Sequence, residues 1–169
     1  MFQGWENFFM VCGTAAATLI GLLFVVVTLG TRLASSQAAR GVHVFVTPTL
    51  VHFSGVLLVT LIVLAPWPSL WAIASVLALS GLAGLSYAIV VLRMMRKVEF
   101  TDLSQGDWIT YVGAPALSNI VLIAGACGLA FHQAFAPYAI AGAIVLLLFI
   151  AIRDAWGLTL WIVKNHDVK

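Results

Sequence analysis

Four side chains that can form hydrogen bonds or hold a proton stand inside apolar runs of this chain: His52, Tyr87, Asn119 and Asp154. Arg153 adjoins the last of them. The run from Ala139 to Ile152 is nearly unbroken Ala, Ile, Leu, Val and Phe. Arg153-Asp154 follows it, and apolar sequence resumes from Ala155 to Val163. A charged pair inside such a run is costly in hydrocarbon and usually faces protein or water. Adjacent helix positions do not face each other, so Arg153 cannot neutralise Asp154 along its own helix. Asp154 is expected to meet either His52 or Arg153 of a neighbouring copy. Arg153 is otherwise long enough to reach the membrane interface.

Helical rise supports grouping these residues. At about 1.5 Å per residue, His52 lies roughly 12 Å, Tyr87 about 8 Å and Asn119 about 16 Å from the same ends of their helices. Asp154 falls at about 6–13 Å, depending on whether the interface starts at Trp156 or at Val163. One polar layer is expected, in which each member gives another a partner where water is scarce. Three readings stay open. The layer is a structural cluster that fixes helix register, it is a proton or ion path, or these groups do not meet.

Other constellations are weaker. His52-Phe53-Ser54-Gly55 partly resembles the Gly-x-Ser-Gly motif of rhomboid proteases, but the first glycine is missing. His52 and Ser54 are also two apart and point to different helix faces. Thr110-Tyr111-Val112-Gly113 has the wrong order for a potassium filter. Glu99, Asp102, Ser104 and Asp107 lack calcium-loop spacing and read as a solvated run. No metal-protease, P-loop or dinucleotide fingerprint is present. No enzyme activity, cofactor or metal is therefore expected. Cys12 and Cys127 read as small hydrophobes, with an interhelical disulfide as the alternative.

The elements that carry these residues are membrane helices. The chain is 63% hydrophobic and 8% charged, with a mean hydropathy of +1.11. A typical soluble domain is about half apolar and about a quarter charged. A span needs about 20 apolar residues, which predicts an all-α bundle of five transmembrane helices in a single domain, over about 7–30, 43–64, 69–92, 108–131 and 137–163. Residues 31–42 are expected as a loop and 93–107 as a longer polar connection. Pro68 is expected in the first turn of the third helix. Pro115 is expected to kink the fourth, and Asp107 to cap it. Residues 1–6 carry no Lys or Arg, so the first helix is expected to be retained rather than cleaved as a signal peptide.

Charge sets the expected orientation. Arg32, Arg40, Arg93, Arg96, Lys97, Lys164 and Lys169 all fall on one side of a five-span chain. Positive residues mark the cytoplasmic side, which gives an N-terminus outside and a C-terminus inside. The short Ala/Val/Leu-rich build suggests a bacterial inner membrane, with a periplasmic N-terminus. Net charge is +2, too little for nucleic-acid binding.

Small residues recur at four-residue spacing on two helices. Gly13, Ala17 and Gly21 mark the first, with Thr14, Thr18 and Thr28 on or near that side. Ser80, Gly84 and Ala88 mark the third. Such stripes let backbones approach closely. The first stripe is either a packing surface or a pore lining. The leading expectation is a homo-oligomer that forms an ion or proton pathway through the bilayer. The alternative is a non-conducting accessory subunit of a larger membrane complex.

Overall fold

The computed structural model describes residues 2–33, 36–97 and 112–166. It is all helical among these residues, with five α-helices: α1 (Glu6–Leu33), α2 (Ser36–Leu64), α3 (Leu70–Lys97), α4 (Ala114–Ala130) and α5 (Ala136–His166). Four of them contain stretches long and apolar enough to cross a membrane: Glu6–Leu29, Thr47–Leu64, Leu70–Arg93 and Ala136–Gly157. α4 is shorter, at 17 residues, or about 25 Å of helix against a hydrocarbon core of about 30 Å. A turn of π-helix at 112–113 precedes it. The start of the expected fourth span, 108–111, and Asp107 lie outside the described residues.

Two local expectations are corrected. The expected loop over 31–42 is largely helix, because α1 runs on to Leu33 and α2 already begins at Ser36. That stretch is rich in Ala, Gln and Arg, which are good helix formers despite their polarity. Pro68 precedes α3 rather than entering its first turn. Ser69 caps the helix instead, its Oγ accepting from the Ala72 N–H at 3.2 Å. Pro115 sits in the first turn of α4. It removes a backbone donor directly after the π-helical residues 112–113, where Gly113 is already in helical geometry.

Side-chain contacts fix the helix directions. Trp5 meets Tyr138 edge-on with ring centroids 4.9 Å apart, which places the first turns of α1 and α5 together. Trp71 meets Phe131 at 5.9 Å, so α3 starts where α4 ends. Gly13 near the start of α1 lies against Thr60 near the end of α2. A Cβ at Gly13 would collide with the Thr60 hydroxyl, so glycine is what lets α1 and α2 approach here. Successive helices therefore alternate in direction.

α2 packs between α1 and α5, and α4 packs between α3 and α5. α2 and α3 are neighbours in sequence but touch little. The apolar core fills the end of the bundle near the α2–α3 turn, around Phe9, Val56, Leu77, Leu129 and Ile140. Towards the other end the helices leave a cavity. Outside, Met10, Leu22, Phe24, Leu61, Leu79, Phe149 and Trp156 stand exposed. So much exposed apolar surface requires lipid or protein against it.

The turn between α4 and α5 is built by the backbone. The His132 N–H donates to Leu129 O at 3.1 Å, and the Gln133 N–H to Gly128 O at 2.8 Å. This pair of bonds is the Schellman arrangement, with His132 in the left-handed position at φ 56°.

Candidate functional site

His52 comes from the middle of α2 and Asp154 from the latter half of α5. These two helices pack side by side. His52 Nδ1 lies 3.4 Å from Asp154 Oδ2. Both residues are only 5% exposed. His52 Nδ1 and both Asp154 oxygens have no hydrogen-bond partner among the described residues. At 3.4 Å the pair is slightly longer than a usual N–H···O bond, so a small side-chain adjustment closes it. A buried carboxylate without donors is costly. The nearest group that can donate to it is His52 Nδ1.

Pro48 lies one turn before His52 inside α2. It cannot donate to the carbonyl four residues earlier, which loosens the helix ladder beside the site. In the sequence, Pro48 between Thr47 and Thr49 is the signal for this break in the ladder.

His52 also lines a cavity of about 400 Å³. Tyr87 and Asn119 line the same cavity, together with Ser54, Ser80 and Ser118. The four polar residues expected to form a layer are thus distributed around one place. His52, Tyr87 and Asn119 face the cavity, and Asp154 stands beside His52. Arg153 is exposed and takes no part in the arrangement within this chain. The Asn119 side chain donates to Pro115 O at 2.8 Å. Ser118 was not anticipated. It is 2% exposed and donates to Ala143 O at 2.8 Å, tying α4 to α5. Its only signal was a hydroxyl next to Asn119 in an apolar run.

α3 approaches α4 closely beside the cavity. A Cβ at Gly84 would overlap the Asn119 amide, and one at Gly81 would meet Ile123. Ser80, Gly84 and Ala88, the expected close-packing stripe, form part of the cavity wall.

The stripe on α1 divides. Gly13 is buried against α2, whereas Ala17 and Gly21 face outward, with nothing within 4 Å of a Cβ at Gly21. Thr14, Thr18 and Thr28 are also exposed. Thr18 donates to Thr14 O at 2.8 Å and Thr28 to Phe24 O at 2.7 Å. These hydroxyls are satisfied within their own helix. Cys12 and Cys127 are both free.

No group of three or more His, Cys, Asp or Glu side chains converges among the described residues. His52 and Asp154 alone offer two donors, fewer than the three or four protein ligands of a typical transition-metal site. What they can do is share and pass a proton. No protein-family model, curated protein or solved structure matches the chain.

Proposed function

We propose that this chain is an integral membrane protein of five spans in which the His52–Asp154 pair relays protons. The observation that carries the reading is a buried, mutually facing acid and base with no other partner among the described residues, one of them at the wall of a cavity that polar side chains help to line. Intramembrane ionisable groups tend to mark proton paths. The proton would pass between cavity and carboxylate through the imidazole, whose two nitrogens serve opposite sides of the ring.

The alternating helix directions favour five spans, with the π-helical residues 112–113 lengthening α4. The end that joins Trp5, Tyr138, Trp71 and Phe131 carries no Lys or Arg. Arg93 and Arg153 fall towards the other end. The positive-inside rule then supports an N-out, C-in protein of a bacterial inner membrane.

Two properties of α1 favour self-association or a membrane-protein partner over a pore lining at its outer face. That face is small and open, and its Thr18 and Thr28 hydroxyls are already bonded. We therefore place the proton path inside each subunit and the small-residue face between subunits. A non-conducting accessory subunit is the second reading, and the same satisfied face supports it.

The test is proton uptake into liposomes holding the purified chain, driven by a potassium diffusion potential and read with an internal pH dye. Uptake above empty liposomes, lost in His52→Gln and Asp154→Asn, is the expected result. Uptake equal to that of empty liposomes across potentials and pH values removes the relay and leaves the accessory reading.

A further inference from the structure

We propose that the cavity is a binding site for a neutral, lipid-soluble molecule with a hydroxyl or carbonyl head, of the chemical type of a quinol or long-chain alcohol. His52 and Tyr87 hold the head. The proposal rests on the membrane reading given above, and it is independent of proton transport.

Size and opening come first. About 400 Å³ lies within the usual range of small-molecule sites, about 300–1,000 Å³. The walls come from α2 and α3, with α4 and α5 as the floor. Because α2 and α3 touch little, the mouth lies between them. Ser54, Leu58 and Ala83 of the lining are exposed there. Leu61, Leu79, Leu82 and Val90 on the same two helices are exposed as well. In a bilayer that mouth faces hydrocarbon, so an occupant enters from the lipid.

The unspent polar groups define the head. Ser80 already donates to Leu77 O, Ser118 to Ala143 O and the Asn119 side chain to Pro115 O. The Tyr87 hydroxyl makes no hydrogen bond to the described residues and borders the cavity. With Nδ1 of His52 turned to Asp154, Nε2 is the ring nitrogen left for an occupant. It accepts from a hydroxyl when the imidazole is neutral and donates to a carbonyl when it is charged.

Charge excludes the commoner lipids. Among the described residues no Lys, Arg, Asp or Glu lines the cavity, and the Asp154 carboxylate lies beside His52. A fatty-acid carboxylate or a phospholipid phosphate would meet only the His52 imidazole, and any positive charge there is already balanced by Asp154. A neutral head suits the wall.

The experiment uses the full chain in liposomes and a diazirine-bearing long-chain alcohol as the photolabel. Flotation with the vesicles and resistance to alkaline carbonate test the membrane reading separately. In a chain that floats, the label is expected in the peptides around Ser54 and Ala83. Excess oleyl alcohol should suppress it and oleic acid should not. Ala83→Trp, which plugs the mouth, should abolish labelling at those peptides. Ser80→Leu makes the same test from deeper in the wall if the first variant does not fold. Tyr87→Phe should weaken competition by oleyl alcohol about tenfold, the size of one lost hydrogen bond. Even labelling of all outward helix faces, equal competition by the acid, or full labelling of either plugged variant would overturn the proposal.

Discussion

Asp154 on α5 faces His52 on α2 across 3.4 Å, and no other described side chain reaches its carboxylate. The pair is therefore a single energetic unit. Removing one partner strands the other in an apolar interior, which costs about 3–5 kcal/mol for a buried ion pair. Replacing both with apolar residues removes the desolvation penalty as well. His52→Leu is expected to unfold at markedly lower temperature in detergent, and His52→Leu/Asp154→Leu to recover most of the loss. Proton uptake should be absent from both. A double variant no more stable than the single would show that the two residues are not coupled.

At the cavity edge Gly84 of α3 leaves no room for a Cβ beside the Asn119 amide of α4. Gly84→Ala must displace the Asn119 amide, which also donates to Pro115 O. Overpacking of this kind typically costs about 1–3 kcal/mol. Gly21→Ala is the control, since nothing lies within 4 Å of a Cβ there. It is expected to leave the unfolding midpoint of the isolated chain unchanged or slightly raised, because alanine is the better helix former. Thermal unfolding of the two variants side by side measures the difference.

The helices themselves were legible because apolar runs of span length leave few alternatives. The polar connections were not. Residues 31–42 looked like a loop because they are polar, yet polarity and helix formation are compatible where Ala, Gln and Arg dominate. For the site, depth along each helix brought His52, Tyr87, Asn119 and Asp154 to a similar level, but depth cannot give rotation about the helix axis. The rotation puts Arg153 outside and Asp154 inside, and it splits the Gly13–Ala17–Gly21 stripe between a buried contact and an open face. The cavity depends on α2 and α3 failing to pack closely, a tertiary property with no local signature.

Thr18→Val separates two routes for protons. The Thr18 hydroxyl is exposed and bonded to its own helix at Thr14 O, so the substitution removes no contact to another helix. Changes of this sort usually stay within about 0.5 kcal/mol. A path inside each subunit predicts unchanged proton uptake in liposomes. A pore lined by the outer face of α1 predicts a clear fall, and that outcome would move the path from His52 to the subunit interface.

His132 closes the turn between α4 and α5 in a conformation that suits another residue better. Its φ of 56° is in the left-handed region, where a Cβ meets the following carbonyl and costs about 1–2 kcal/mol. The two backbone bonds to Leu129 O and Gly128 O need that conformation, whatever the side chain. The imidazole is exposed, so little packing is lost with it. His132→Gly is therefore expected to stabilise the folded chain by about 1 kcal/mol, offset in part by the greater freedom of glycine when unfolded. His132→Val should destabilise it, because a β-branched side chain is strained at positive φ. Opposite shifts of the unfolding midpoint would identify the turn as a backbone device. A loss of stability in both variants would instead mean that the imidazole itself holds the α4–α5 corner.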